Sequence, residues 1–212
     1  MKQKNIQIMI NIVTVINIIV ILFMLWTIYK NNKYSGKYIT KLVEKNYEYL
    51  NYIIEIETKD VETNDLTITR VTQKENYYKK IEDVINNKSR TESYDNGKLM
   101  VKDEKDNIIK TYDNQSSDDL TEPLIHHYSY NIYINLKKGY YEYEYIKSEK
   151  YNSVDCIVVE AKRMGSFIKD GIESFYDGRL WIDVNKGFIL KNEIYIDNVL
   201  KEVTKYKIQI GN

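Results

Sequence analysis

The stretch Asp177–Asn198, DGRLWIDVNKGFILKNEIYIDN, decides how this chain is read. It gathers Trp181 with Asp177, Arg179, Asp183, Lys191 and Glu193, either as a reactive cluster or as a piece of sheet. Parity separates the two readings. Leu180, Ile182 and Val184 alternate with Trp181 and Asp183. Beyond a turn at Asn185–Gly187, Phe188, Leu190, Ile194 and Ile196 alternate with Lys191, Glu193, Tyr195 and Asp197. A period of two marks a half-buried strand. The stretch therefore reads as a β-hairpin, with Asp183, Lys191 and Glu193 cross-strand neighbours on a solvated or rim face, worth well under about 1 kcal/mol each. Trp181 shares their parity, so it either packs beneath that rim or marks a contact surface.

Working outward, the same period recurs. YIIEIETKDV alternates Ile54 and Ile56 with Glu55 and Glu57, and DLTITRVTQ does so with Leu66 and Ile68. ENYYKKIEDV follows. Asp95-Asn96-Gly97 separates SRTESY from KLMVKD as a hairpin turn whose Asn and Gly tolerate positive φ. Glu104–Asn107 is the next turn and IIKTY the next strand. NIYINL, YYEYEYIKSE, SVDCIVVEAKR and three strands between Glu173 and Ile210 complete the series. Composition agrees: the 212 residues hold 21 tyrosines, one proline and a single alanine, Ala161. Ala favours helix, whereas Ile, Tyr, Val and Thr suit a pleated surface.

Two segments break the pattern. SGKYITKLVEKNYEYL puts Ile39, Leu42, Val43 and Tyr47 on one face of a short amphipathic helix. NQSSDDLTEPLIHHY predicts a loop with one or two helical turns, capped near Ser116 or Ser117. Sequential strands usually pair, so the expected fold is mostly β (α+β): one strongly curved antiparallel sheet, a half-barrel of about nine to eleven strands. The amphipathic helix and the insertion near Leu120–Ile125 are the expected covers of its concave face.

Asn5–Tyr29 carries no charged residue. As a helix it reaches about 37 Å, enough to cross a hydrocarbon core of about 30 Å. Trp26, Tyr29 and Lys30 stand where an interfacial belt lies. The apolar run exceeds a cleaved signal's, no small-x-small site follows it, and no cysteine stands there to take a lipid. The expectation is one transmembrane anchor over residues 1–30 and a β domain over 31–212. The domain is placed outside the cytoplasm, because a long segment behind a first apolar helix commonly translocates regardless of flanking lysines.

Several chemistries are disfavoured. Net charge is zero, with no basic stripe for nucleic acid. His126 and His127 are adjacent and lack a third ligand at metal spacing. No nucleophile elbow and no phosphate loop occurs. DEKDN at Asp103–Asn107 lacks the calcium-loop pattern and reads as a solvated turn. Cys156, the only cysteine, reads as a buried small hydrophobe on a strand face with Val154 and Val158. The expectation is a protein with no catalytic set, no cofactor and no metal, an unrecognised cell-wall hydrolase being the enzymatic alternative. The residues singled out for partner or ligand contact are Trp181 and the aromatic row Tyr141, Tyr143 and Tyr145, since tyrosine adds contact area at low entropy cost. Long edge strands also make a homodimer an option.

A membrane-proximal segment, a short helix, YYKKIEDV … DNGKLMV, and finally LWIDVNKGFILKNEIYIDN … YKIQI together resemble the LolA/LolB-like half-barrel proteins over roughly residues 38–210. Within that group the chain is most similar to the GerS type of clostridial spore germination lipoproteins. The resemblance implies a curved sheet around helices that leaves an apolar cavity. It also implies a role in binding and supporting a cortex-modifying peptidoglycan amidase at the forespore or spore membrane, or in carrying a lipid or other apolar ligand. A spanning helix here takes the place of that type's lipid-acceptor cysteine.

Overall fold

The computed structural model describes residues 2–33, 35–74, 77–115, 120, 122–128, 143–169 and 172–211. Helix α1, Lys2–Lys33, is followed by α2, Gly36–Glu44, and one 3-10 turn, Lys45–Glu48. Eleven strands follow: β1 Tyr52–Asp60, β2 Leu66–Lys74, β3 Tyr78–Asp83, β4 Lys88–Asp95, β5 Lys98–Lys102, β6 Ile108–Asp113, β7 Tyr143–Tyr151, β8 Val154–Lys169, β9 Ile172–Asp183, β10 Ile189–Ile196 and β11 Val199–Ile210. A second 3-10 turn, Leu124–His127, lies between β6 and β7.

All eleven strands form one curved, unclosed antiparallel sheet in the order β6-β5-β4-β3-β2-β1-β11-β10-β9-β8-β7. Two-residue hairpins carry much of it. Asn96 and Gly97 (φ 48° and 79°), Asn152 and Ser153 (49° and 68°), and Asp197 and Asn198 (51° and 62°) have paired positive φ. That geometry matches the twist of the flanking strands.

One feature of the topology goes beyond sequential pairing. β1 and β11 join in an unbroken register from Tyr52↔Ile210 to Asp60↔Glu202. The first and last strands thus sit in the middle of the sheet, and among the described residues the edges fall at β6 and β7, on either side of the helical insertion. The alternation of β1 explains this pairing. Ile54 and Ile56 meet Ile208 and Tyr206 on one face, while Glu55 and Glu57 meet Lys207 and Lys205 on the other. Both salt bridges are 2.6 Å.

The apolar row faces the helices. Ile39, Leu42 and Val43 of α2, and Leu124 and Ile125 of the insertion, are buried with Ile54, Val71, Ile157, Val159, Leu180, Ile182 and Ile189. The two covers expected from the sequence are thus the ones that fill the inner face. Ser35 caps α2, its hydroxyl accepting from the Tyr38 amide at 3.4 Å. The segments NIYINL and Ser116–Ser117 lie outside the described residues.

The hairpin of Asp177–Asn198 needs two corrections. First, strict alternation fails after the turn: Ile189 faces Ile182, but Lys191 already faces Trp181. Leu190 is the extra residue of a bulge, so Asn192 faces inward opposite Leu180 and Thr204. Second, the rim is not solvated. Asp183 is 6% exposed and Glu193 9%. Asp183 is buried because its carboxylate accepts the Asn185 and Lys186 amides (2.7 and 3.2 Å) and so builds the turn.

α1 contains an apolar span, Asn11–Tyr29, long enough to cross a membrane, and no part of it is buried against the domain.

Candidate functional site

The inner face carries a polar knot that ties the insertion to the sheet. Tyr52 points inward from the start of β1 and donates its hydroxyl to the Glu122 carbonyl at 2.8 Å. His127 Nε2 lies 2.7 Å from the Tyr52 hydroxyl oxygen. Since that hydroxyl's proton is committed to Glu122, the ring nitrogen is the donor. Lys79 of β3 ion-pairs with the Glu122 carboxylate, which is also 3.7 Å from His127.

The electrostatics follow from burial. Desolvation pulls His127 down to about 4, against the upward pull of Glu122, so it is neutral at pH 7. Burial works to raise Glu122, but Lys79 and the neighbouring histidines outweigh it and hold the carboxyl below its ordinary range. Burial, reinforced by Glu122, raises the Tyr52 phenol. The two histidines diverge: His126 packs edge-on against Tyr47, with ring centres 6.2 Å apart. Among the described residues, no three His, Cys, Asp or Glu side chains converge in a way that could hold a metal.

Beside the knot, Asn51, Tyr52, Gln73, Lys74, Ile210 and Gly211 line a cleft of about 470 Å³ at the ends of β1, β2 and β11. Two inward-facing amides are buried without full satisfaction. Gln73 is 1% exposed and its carbonyl oxygen has no hydrogen-bond partner among the described residues. Asn192, also 1% exposed, has none among them at either amide atom. Buried orphan amides are rare enough to call for a reason.

The residues singled out from the sequence fall on opposite faces. Tyr143 and Tyr145 pair with Ala161 and Val159. They therefore face inward, half-buried against the main core at the β7 edge. Tyr141 lies outside the described residues. Trp181 points outward with Cys156 and Val158 in a small second cluster. It is 6% exposed. Lys191 covers it, with Nζ 4.1 Å from the ring centre, and Glu149 accepts its indole N–H. Burial raises the Cys156 thiol to about 11, so it is a thiol at neutral pH.

Sequence reasoning missed the knot. His127 falls in a segment with no spaced partner in the sequence; Tyr52 lies 75 residues before it, and Lys79, which reaches it through Glu122, is on β3. The readable signal was parity, since Tyr52, Gln73 and Lys79 share the face of Ile54 and Val71.

No family model matches this sequence, and no curated protein matches it. Among solved structures, the chain is similar to a chain of the Pseudomonas aeruginosa MucA/MucB complex (12% identity, TM-score 0.42, 82% of this chain and 56% of that chain). It is similar to LprF from Mycobacterium bovis (9%, 0.44, 84% and 98%) and to a LolA superfamily protein from Nitrosomonas europaea (12%, 0.29, 84% and 94%). The chain spans little more than half the length of the chain it matches in the MucA/MucB complex.

Proposed function

We propose that this chain is a non-enzymatic, membrane-anchored binding protein. In this reading α1 fixes it in the cell membrane, the β domain lies outside the cytoplasm, and the inner face at the β7 edge receives a protein partner. The observation that carries it is the open sheet: β6 and β7 each have one neighbouring strand among the described residues, and aromatic Tyr143 and Tyr145 line the inner face at the β7 end. An edge strand offers backbone donors and acceptors, and an aromatic row beside it supplies contact area. The sequence resemblance to GerS-type proteins supports an N-acetylmuramoyl-L-alanine amidase of the spore cortex as that partner. Two experiments test this. The full chain in detergent should capture that amidase, and Tyr143→Ala with Tyr145→Ala should weaken capture at least tenfold. Deletion that leaves cortex muramic lactam and germination untouched removes the amidase role.

The orphan amides favour a second reading, a carrier of an apolar ligand with a polar head. Native mass spectrometry of the purified chain then shows co-purified lipid, lost in Asn192→Leu. A ligand-free spectrum of the native chain counts against it.

A further inference from the structure

We propose that α1 pairs with the α1 of a second copy, parallel and in register, along a seam of Asn17, Val20, Met24 and Thr27. The proposal rests on the reading of α1 as the membrane anchor.

Three observations lead to it. Asn17 stands midway in the charge-free run Asn5–Tyr29, about 18 Å from either end at 1.5 Å per residue. That places it near the bilayer midplane, and it is exposed on the helix. Hydrocarbon provides no water for its amide, so a partner from another helix is favoured. Second, the spacing from Asn17 to Val20, Met24 and Thr27 is three, four, three. This is the repeat that keeps one seam facing a partner helix. Third, Val20, Met24 and Thr27, with Ile19, Phe23 and Ile28, line a groove of about 530 Å³ along α1. The domain covers no part of the span.

A second copy is the occupant for a geometric reason. Every copy inserts in the same direction, so a parallel pair sets each residue against itself at the same depth. A carboxamide both donates and accepts, so Asn17 complements its own image across a two-fold axis. A different helix would need a polar group at that same depth. The Thr27 hydroxyl already bonds back to the Phe23 carbonyl at 2.9 Å and makes no demand on the seam.

The test uses the full chain in phosphatidylcholine/phosphatidylglycerol vesicles, with energy transfer between labelled copies. Asn17→Leu should raise the dissociation constant about 5- to 30-fold, and Asn17→Gln should restore most of the pairing. Under mild oxidation Val20→Cys should form a disulfide dimer, whereas Leu22→Cys, on the opposite side of the helix, should not. Cys156 is 1% exposed and stays silent. Unchanged transfer in Asn17→Leu, or equal cross-linking at Leu22→Cys, overturns the pairing. Release of the chain by alkaline carbonate overturns the anchor reading, and the pairing with it.

Discussion

The side-chain amide of Asn46 donates to the Gly187 carbonyl at 2.8 Å across 141 residues, and to the Val43 carbonyl at 2.7 Å. One buried amide thus closes the C-terminal end of α2 and fastens it to the β9–β10 turn. Asn46 is 0% exposed, so its loss takes a buried donor from the Gly187 carbonyl and leaves the Val43 carbonyl with the Lys45 amide alone. Asn46→Ala should destabilise the folded chain by about 2–4 kcal/mol. Urea unfolding of the detergent-solubilised protein measures this, and a loss below about 1 kcal/mol would show that water replaces the amide.

Gly187 sits at φ +74°, and a Cβ there would lie 1.9 Å from the Leu42 carbonyl oxygen. Gly97 has a similar φ of +79° with nothing within 4 Å of such a Cβ. Backbone strain alone costs about 1 kcal/mol. Gly97→Ala should show that amount, and Gly187→Ala several kcal/mol more or no folded protein. Equal melting shifts in the two variants would contradict the close packing of α2 on the turn.

His127 gives a pH signature. Its folded value, about 4, lies below the ordinary 6.5, so the unfolded chain takes up the proton first. The associated stability is complete above about pH 6.5 and is lost as pH falls towards 4, at up to about 1.4 kcal/mol per pH unit. Glu122 is depressed instead, so its contribution fades only below its ordinary value of 4.5. His127→Gln should flatten the stability curve between pH 6.5 and 4.5 by about one proton. An unchanged slope there would mean that His127 is not the group responsible.

Trp181 is covered by Lys191 and Glu149 on the outer face. In a Trp26→Phe background, Trp181 should emit as a buried indole and resist acrylamide. Lys191→Ala should open the ring to quenching and cost about 0.5–1 kcal/mol. Quenching that is already strong in the Trp26→Phe protein would refute the cover.

Sequence periodicity was a sound guide wherever a residue's environment is local. The strand run of β1 and β2, the turns at Asn96–Gly97 and Asp197–Asn198, and the apolar face of α2 follow from side-chain alternation and permitted φ. It misled at Leu190, because a one-residue bulge there puts Ile189 on the inner face, while Lys191, Glu193 and Ile194 keep the faces their parity gives. Nothing in the sequence of β10 alone marks that position.

The class of each segment follows from local sequence: a charge-free helix, a capped amphipathic helix, and strands of period two. These depend on interactions within a few residues or on a simple excess of apolar surface. The pairing of β1 with β11 exists only in the folded sheet, and among the described residues it leaves the edges at β6 and β7. Tertiary structure also decided the knot of Tyr52, Lys79, Glu122 and His127, and the burial of Trp181 beneath Lys191. Each joins groups far apart in the chain, and their proximity depends on how the whole sheet curls around α2 and the insertion.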